Sequence, residues 1–103
     1  MGLDFEVHAA EDGPRALQLC RLLQIDAVVA DIKMPGMSGI DFVKALRADS
    51  DQRLRSIPVI LLTGEQAANL RQDGLAAGAD AFIEKPVTGD TLRDTIARVL
   101  KRP

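Results

Sequence analysis

Three residues of this 103-residue chain could do chemistry together: Asp31, Thr63 and Lys85. They carry a carboxylate, a hydroxyl and an ammonium, and each closes a short apolar run: Ala27-Val28-Val29-Ala30 before Asp31, Pro58-Val59-Ile60-Leu61-Leu62 before Thr63, Ala81-Phe82-Ile83 just ahead of Lys85. A carboxylate can attack phosphorus, but two anions must first meet, so such a site needs fixed positive charge. Lysine supplies part of it as a compact point charge. Phosphoryl transfer is governed by positioning and electrostatics, and the remaining charge normally comes from Mg²⁺. Other patterns are absent: neither G-x-G-x-x-G nor G-x-x-x-x-G-K-[ST] occurs, which argues against a nucleotide-binding enzyme.

The elements that position these groups follow from periodicity. Short apolar runs between polar ends fit strands buried on both faces, and Phe5–Ala9 alternates as a strand with one buried face. Asp12 and Pro14 start a helix with the stripe Ala16, Leu17, Cys20, Leu23. Ser38 caps a second helix carrying Ile40, Phe42, Val43 and Leu46. Residues 65–76 form a thinly apolar third helix with an internal Gly74, and Leu92, Ile96, Val99 and Leu100 mark an amphipathic fourth. The order β-α-β-α-β-α-β-α predicts one α/β domain over 1–103 with a parallel sheet, its active crevice off the carboxyl ends of the strands. All three chemical residues fall at such ends.

Composition narrows the class. A net charge of −2 and a pI near 5.3 argue against a nucleic-acid or anionic-membrane surface. No apolar stretch approaches the roughly 20 residues of a membrane span, and Met1–Asp4 lacks the features of a signal peptide, so a cytoplasmic, soluble domain is expected. Cys20 is the single cysteine; it lies on a helix stripe and reads as an inert buried thiol. His8 alternates with apolar neighbours and reads as exposed. Glu11, Asp12 and Asp26 read as turn and cap residues, residues 49–52 as a solvated loop, Met34 and Met37 as packing groups.

Four segments carry a resemblance: Ala10-Glu11-Asp12-Gly13, residues 29–39 (VADIKMPGMSG), residues 58–64 (PVILLTG) and residues 77–86 (AGADAFIEKP). From Phe5 to Val99 the chain resembles the receiver domain of two-component response regulators. That implies a flavodoxin-like, CheY-like doubly wound parallel sheet, here reduced to four strands. It implies Asp31 as phosphoacceptor from a histidine kinase, a phosphotransfer protein or a small acyl phosphate. Thr63 and Lys85 would bind the phosphoryl group, Pro86 would fix the loop, often through a cis bond, and Phe82 would follow the state of Thr63. Asp31 and the Lys33 carbonyl would be metal ligands. Each residue also has a plainer reading: Asp31 as a loop cap, Thr63 as a turn residue, Lys85 as a surface lysine, Phe82 as core packing.

The chain departs from the family pattern before Phe5, where a first strand ending in two acidic residues and a first helix are expected. Asp4 cannot replace the pair, because it precedes a strand rather than ending one. Two expectations follow: Mg²⁺ bound weakly or not at all, with impaired phosphorylation of the isolated monomer, and a bare edge on Ala27–Ala30. Either Phe5–Ala9 moves in beside that edge or a second chain fills the gap; a homodimer is favoured, possibly with exchanged elements, widened by Leu19 and Leu22. The alternative function is a degenerate receiver acting as an interaction module. A phosphatase of the haloacid-dehalogenase class is disfavoured, because Lys33 stands where a second acid is needed.

Overall fold

The computed structural model describes residues 7–34, 36–64 and 68–100. Four strands, β1 (Val7–Ala10), β2 (Ala27–Asp31), β3 (Val59–Thr63) and β4 (Ala81–Glu84), form one parallel sheet in the order β1-β2-β3-β4. The helices are α1 (Gly13–Leu22), α2 (Gly39–Arg47), α3 (Gln52–Arg55), α4 (Ala68–Ala77) and α5 (Gly89–Leu100). The expected α/β fold with helices on both faces is present. Phe5 and Glu6 of the expected first strand, and residues 65–67 of the expected third helix, lie outside the described residues.

The two faces of the sheet are covered unequally. Strand alternation sends Ala10, Val28, Ala30, Val59 and Leu61 to one side, where they pack with Ala16 and Cys20 of α1, Phe42, Val43 and Leu46 of α2, and Leu54 of α3. Val29, Ile60 and Ile83 point the other way and meet Val99, with Leu92, Ile96 and Leu100 against them, all from α5. Among the described residues, several helices cover one face and a single helix, α5, covers the other.

Local chemistry sets the helix starts. Asp12 accepts from the Arg15 N–H at 3.1 Å and Ser38 from the Asp41 N–H at 3.0 Å, each satisfying a donor that the first turn leaves unpaired. Cys20 is fully buried, and burial pushes its thiol above the ordinary range, with Arg53 and Arg21 opposing. A low-reactivity thiol is the consequence.

Two sequence expectations change. β1 pairs directly with β2, Ala10 opposite Ala30, so of the two ways to cover the β2 edge the structure takes the intramolecular one. The solvated loop of residues 49–52 leads into α3, capped by Asp51 through the Arg53 N–H, and the region is stitched by arginines. Arg53 donates to the Cys20 and Leu23 carbonyls, Arg55 to those of Asp49 and Ser50, and Arg21 pairs with Asp49 at 2.8 Å. The Asp51 N–H and Arg21 hold the Asp49 carboxyl below the usual carboxylate range.

Arg47 is the centre of a second knot. It donates to the Gly78 carbonyl, the Arg55 carbonyl and Asp80 Oδ2, each at 3.0 Å, and Asp80 Oδ2 also accepts from the Val59 N–H at 2.9 Å. The guanidinium thereby ties the end of α2 to the turn before β4, with both partners largely shielded from solvent. Arg47→Met keeps the aliphatic stem but strands these acceptors. A loss of about 2–3 kcal/mol is expected in urea unfolding, by the worth of charge-assisted hydrogen bonds. A loss under about 0.5 kcal/mol would show the knot to be ornamental.

Candidate functional site

The carboxyl edge of the sheet gathers the chemistry. β2 ends at Asp31, and Lys85, just beyond β4, reaches across β3 to place its Nζ 2.6 Å from Asp31 Oδ1. The Lys85 N–H donates to the Thr63 carbonyl at 2.8 Å, so the end of β3 fixes the backbone that carries the ammonium. The Lys85–Pro86 bond is cis, as the resemblance anticipates. Asp31 and Lys85 are both partly open to water, so their pairing leaves the carboxylate reachable.

A cleft of about 320 Å³ opens at this point, lined by Asp31, Ile32, Lys33, Leu62, Gly64, Leu70 and Lys85. Thr63 sits at the adjoining strand end, 4% exposed, and is not among the lining residues. Phe82 packs partly buried on the same sheet face as Leu61, its ring against Gly74 of α4. A Cβ on Gly74 would collide with that ring, which accounts for a glycine inside a helix despite its cost of about 1 kcal/mol.

The loop after Asp31 is held by close backbone approach. The Gly39 N–H donates to the Ile32 carbonyl at 2.6 Å, and a Cβ on Gly39 would stand 2.5 Å from the Asp31 carbonyl oxygen. Gly13 likewise makes room for Met37, so α1 abuts the loop that follows Asp31. Sequence reading missed Gly39, Gly74, Arg47 and Asp80; the glycines stood at helix positions where a packing reason could have been sought.

Mg²⁺ takes near-octahedral oxygen ligands, usually with one or two carboxylates. Among the described residues no group of three or more His, Cys, Asp or Glu side chains could hold a metal. Asp31 is engaged by Lys85, and the Asp12 carboxylate, just past the end of β1, caps α1.

An open parallel sheet bearing a carboxylate–ammonium pair at its carboxyl edge, beside a cis X–Pro bond, defines a CheY-like receiver fold. The chain belongs to the response regulator receiver domain family, whose model matches residues 2–97. It is 36% identical over 93 residues to chemotaxis protein CheY of Pseudomonas aeruginosa, covering 90% of this chain and 73% of that protein. It is 39% identical over 98 residues to sensory transduction protein RegX3 of Mycobacterium tuberculosis, covering 95% and 41% respectively. Among solved structures, chemotaxis response regulator CheY4 of Vibrio cholerae superposes with a TM-score of 0.83 at 29% identity, over 95% of this chain and 100% of that one. The receiver domain of sensor histidine kinase PA1611 from Pseudomonas aeruginosa, which has a magnesium ion coordinated in its active site cleft, matches in fold with a TM-score of 0.83 at 19% identity, over 97% and 100%. The chain is thus a receiver domain of two-component signalling, a family of modules that work with histidine kinases or phosphotransfer proteins. No helix among the described residues is long and apolar enough to cross a membrane.

Proposed function

We propose that residues 1–103 act as one cytoplasmic receiver unit in a phosphorelay, with Asp31 as the phosphoacceptor and no catalytic turnover of its own. The observation that carries this reading is the Asp31–Lys85 pair, 2.6 Å apart at the mouth of an open cleft. Attack of an Asp31 oxygen on phosphorus would form the aspartyl phosphate as the P–N bond to the donor histidine, or the P–O bond to a small acyl group, breaks; it would free Lys85 to neutralise a phosphoryl oxygen, and Thr63 would contribute its hydroxyl from the adjoining strand end. Pro86 holds the loop that presents Lys85, and Phe82 acts as the side chain that responds to Thr63. The sparse oxygen set, Asp31 with the Lys33 carbonyl, binds Mg²⁺ weakly, so phosphorylation of the isolated monomer is slow. The donor is a histidine kinase or phosphotransfer protein, and nucleic acid is not a partner for a chain of net charge −2.

The expected result with a small acyl phosphate is one added phosphoryl group by intact mass, absent in Asp31→Asn, accumulating slowly and gaining little from micromolar Mg²⁺. Rapid turnover at micromolar Mg²⁺ would remove the impairment from this reading. The second reading, a degenerate receiver that docks without being phosphorylated, is the one that no added mass under any condition would select. The homodimer keeps support from the edge position of β1 and from Leu22, which stands 71% exposed, whereas Leu19, also expected to widen the contact, packs against the core. A monomer in sedimentation at micromolar concentration would exclude it.

A further inference from the structure

Leu70 stands where two hollows meet. It lines the Asp31 cleft with Ile32 and Leu62, and it lines a second hollow of about 620 Å³ with Ile32, Met34, Met37 and Ile40. Among the described residues it is the one side chain of α4 that borders the cleft. The packing of α4 puts it there. Gly74 is buried, and its missing Cβ lets the Phe82 ring and the Leu61 side chain come up against the helix backbone. Leu70 precedes Gly74 by four residues and Ala77 follows by three, so the three share one helix face. Leu70 and Ala77 both pack on the core, whereas Arg71, Gln72, Asp73, Leu75 and Ala76 are exposed. Among the described residues, that seat of α4 on the sheet has a single large side chain, and it borders the carboxylate.

A phosphoryl group on Asp31 is lost by hydrolysis. A water oxygen attacks phosphorus, the P–O bond to Asp31 breaks, and the carboxylate returns. Inorganic phosphate leaves with one proton of the water, and the other passes to solvent. Such a step gains from a polar group that orients the attacking water. The side chains of Ile32, Leu62 and Leu70 carry no donor or acceptor, so that wall of the cleft gives a water nothing to hold it.

We propose that Leu70 sets the lifetime of phosphorylated Asp31: its isobutyl group denies the attacking water a hydrogen-bonded place, so the phosphoryl group outlasts what a polar side chain there would allow. The inference rests on Asp31 being the phosphoacceptor. Leu70 acts by exclusion rather than as a catalytic residue. Gly74 is the positioning residue, since the close seat of α4 on Phe82 and Leu61 holds Leu70 at the cleft.

The test follows decay of the phosphorylated full chain by intact mass after a small acyl phosphate is removed, with Leu70→Gln and Leu70→Met run beside the unsubstituted chain. Glutamine and methionine are similar in bulk and helix propensity, but glutamine alone bonds well to water. Leu70→Gln should shorten the half-life at least about fivefold, the worth of one hydrogen bond to the water. Leu70→Met should stay within about twofold, since volume-conserving apolar swaps are tolerated. The rate of label formation should be alike in all three, because attack of Asp31 on the donor uses no water. In heavy-oxygen water the released phosphate should carry the heavy oxygen and Asp31 none. Gly74→Ala lifts α4 and should shorten the half-life of the leucine chain without shortening that of Leu70→Gln further. The Leu70 pair, with thermal melts to verify the fold, carries the test even where Gly74→Ala does not fold. A Leu70→Met chain as short-lived as Leu70→Gln, or heavy oxygen in the Asp31 carboxylate, would overturn the proposal. A label whose decay ignores residue 70 would remove this inference alone, whereas no added mass on the unsubstituted chain would remove the phosphoacceptor reading and this inference with it.

Discussion

Gly39→Ala lowers stability by about 2–3 kcal/mol, and Gly89→Ala does not; this is the expected result of one substitution made at the first residue of two helices. At Gly39 the added Cβ would stand 2.5 Å from the Asp31 carbonyl oxygen and 2.9 Å from the Ile32 Cα, and both neighbours are backbone. Backbone cannot swing aside as a side chain can, so α2 must lift off the end of β2, with the overpacking cost of about 1–3 kcal/mol or more. At Gly89 nothing lies within 4 Å of the new Cβ, and alanine is the better helix former. Thermal unfolding reads the contrast: about 4–8 °C per kcal/mol for a domain of this size, a fall of roughly 10–20 °C for Gly39→Ala and no fall for Gly89→Ala. Lifting α2 also moves the Ile32–Lys33 segment, so acyl-phosphate labelling of Asp31 should fall with the melting temperature. Equal effects at the two glycines would sink the argument that close approach, not helix propensity, selects Gly39.

Phe42→Ala is the other large effect. Phe42 is fully buried in the core between the sheet and its helices, in a chain with only three aromatic residues. Truncating a buried phenylalanine costs about 3–5 kcal/mol, the lost transfer energy plus the cavity that neighbours fill only in part. Against a typical stability of about 5–15 kcal/mol, the variant is left marginal at best. Urea unfolding with an unchanged m-value and a midpoint lowered by that amount is the expected outcome. A loss below about 1.5 kcal/mol would mean that α2 repacks freely, which the fully buried Val43 and Leu46 beside it argue against.

Phe42 was legible from sequence because burial there is a matter of period: Phe42, Val43 and Leu46 mark one face of a helix whatever it packs upon. Gly39 and Gly74 were not legible in that way. Their reason is a collision between segments distant in the chain, Gly74 with Phe82 and Leu61, Gly39 with the end of β2. Arg47 and Asp80 were hidden for the same cause, since a guanidinium at a helix end reads as solvated until the turn before β4 is brought under it.

The sequence by itself determined the four parallel strands, the caps at Asp12 and Ser38, and the delivery of Asp31, Thr63 and Lys85 to one edge of the sheet. Those outcomes depend on period two against period 3.6 and on short-range hydrogen bonds, which act within a few residues. Only the tertiary structure decided that β1 lies against β2, that Lys85 closes on Asp31, and that α5 packs on the face of the sheet that carries Val29, Ile60 and Ile83. Strand adjacency and the covering of a face are settled by which distant surfaces exclude water together, and no local pattern encodes that choice.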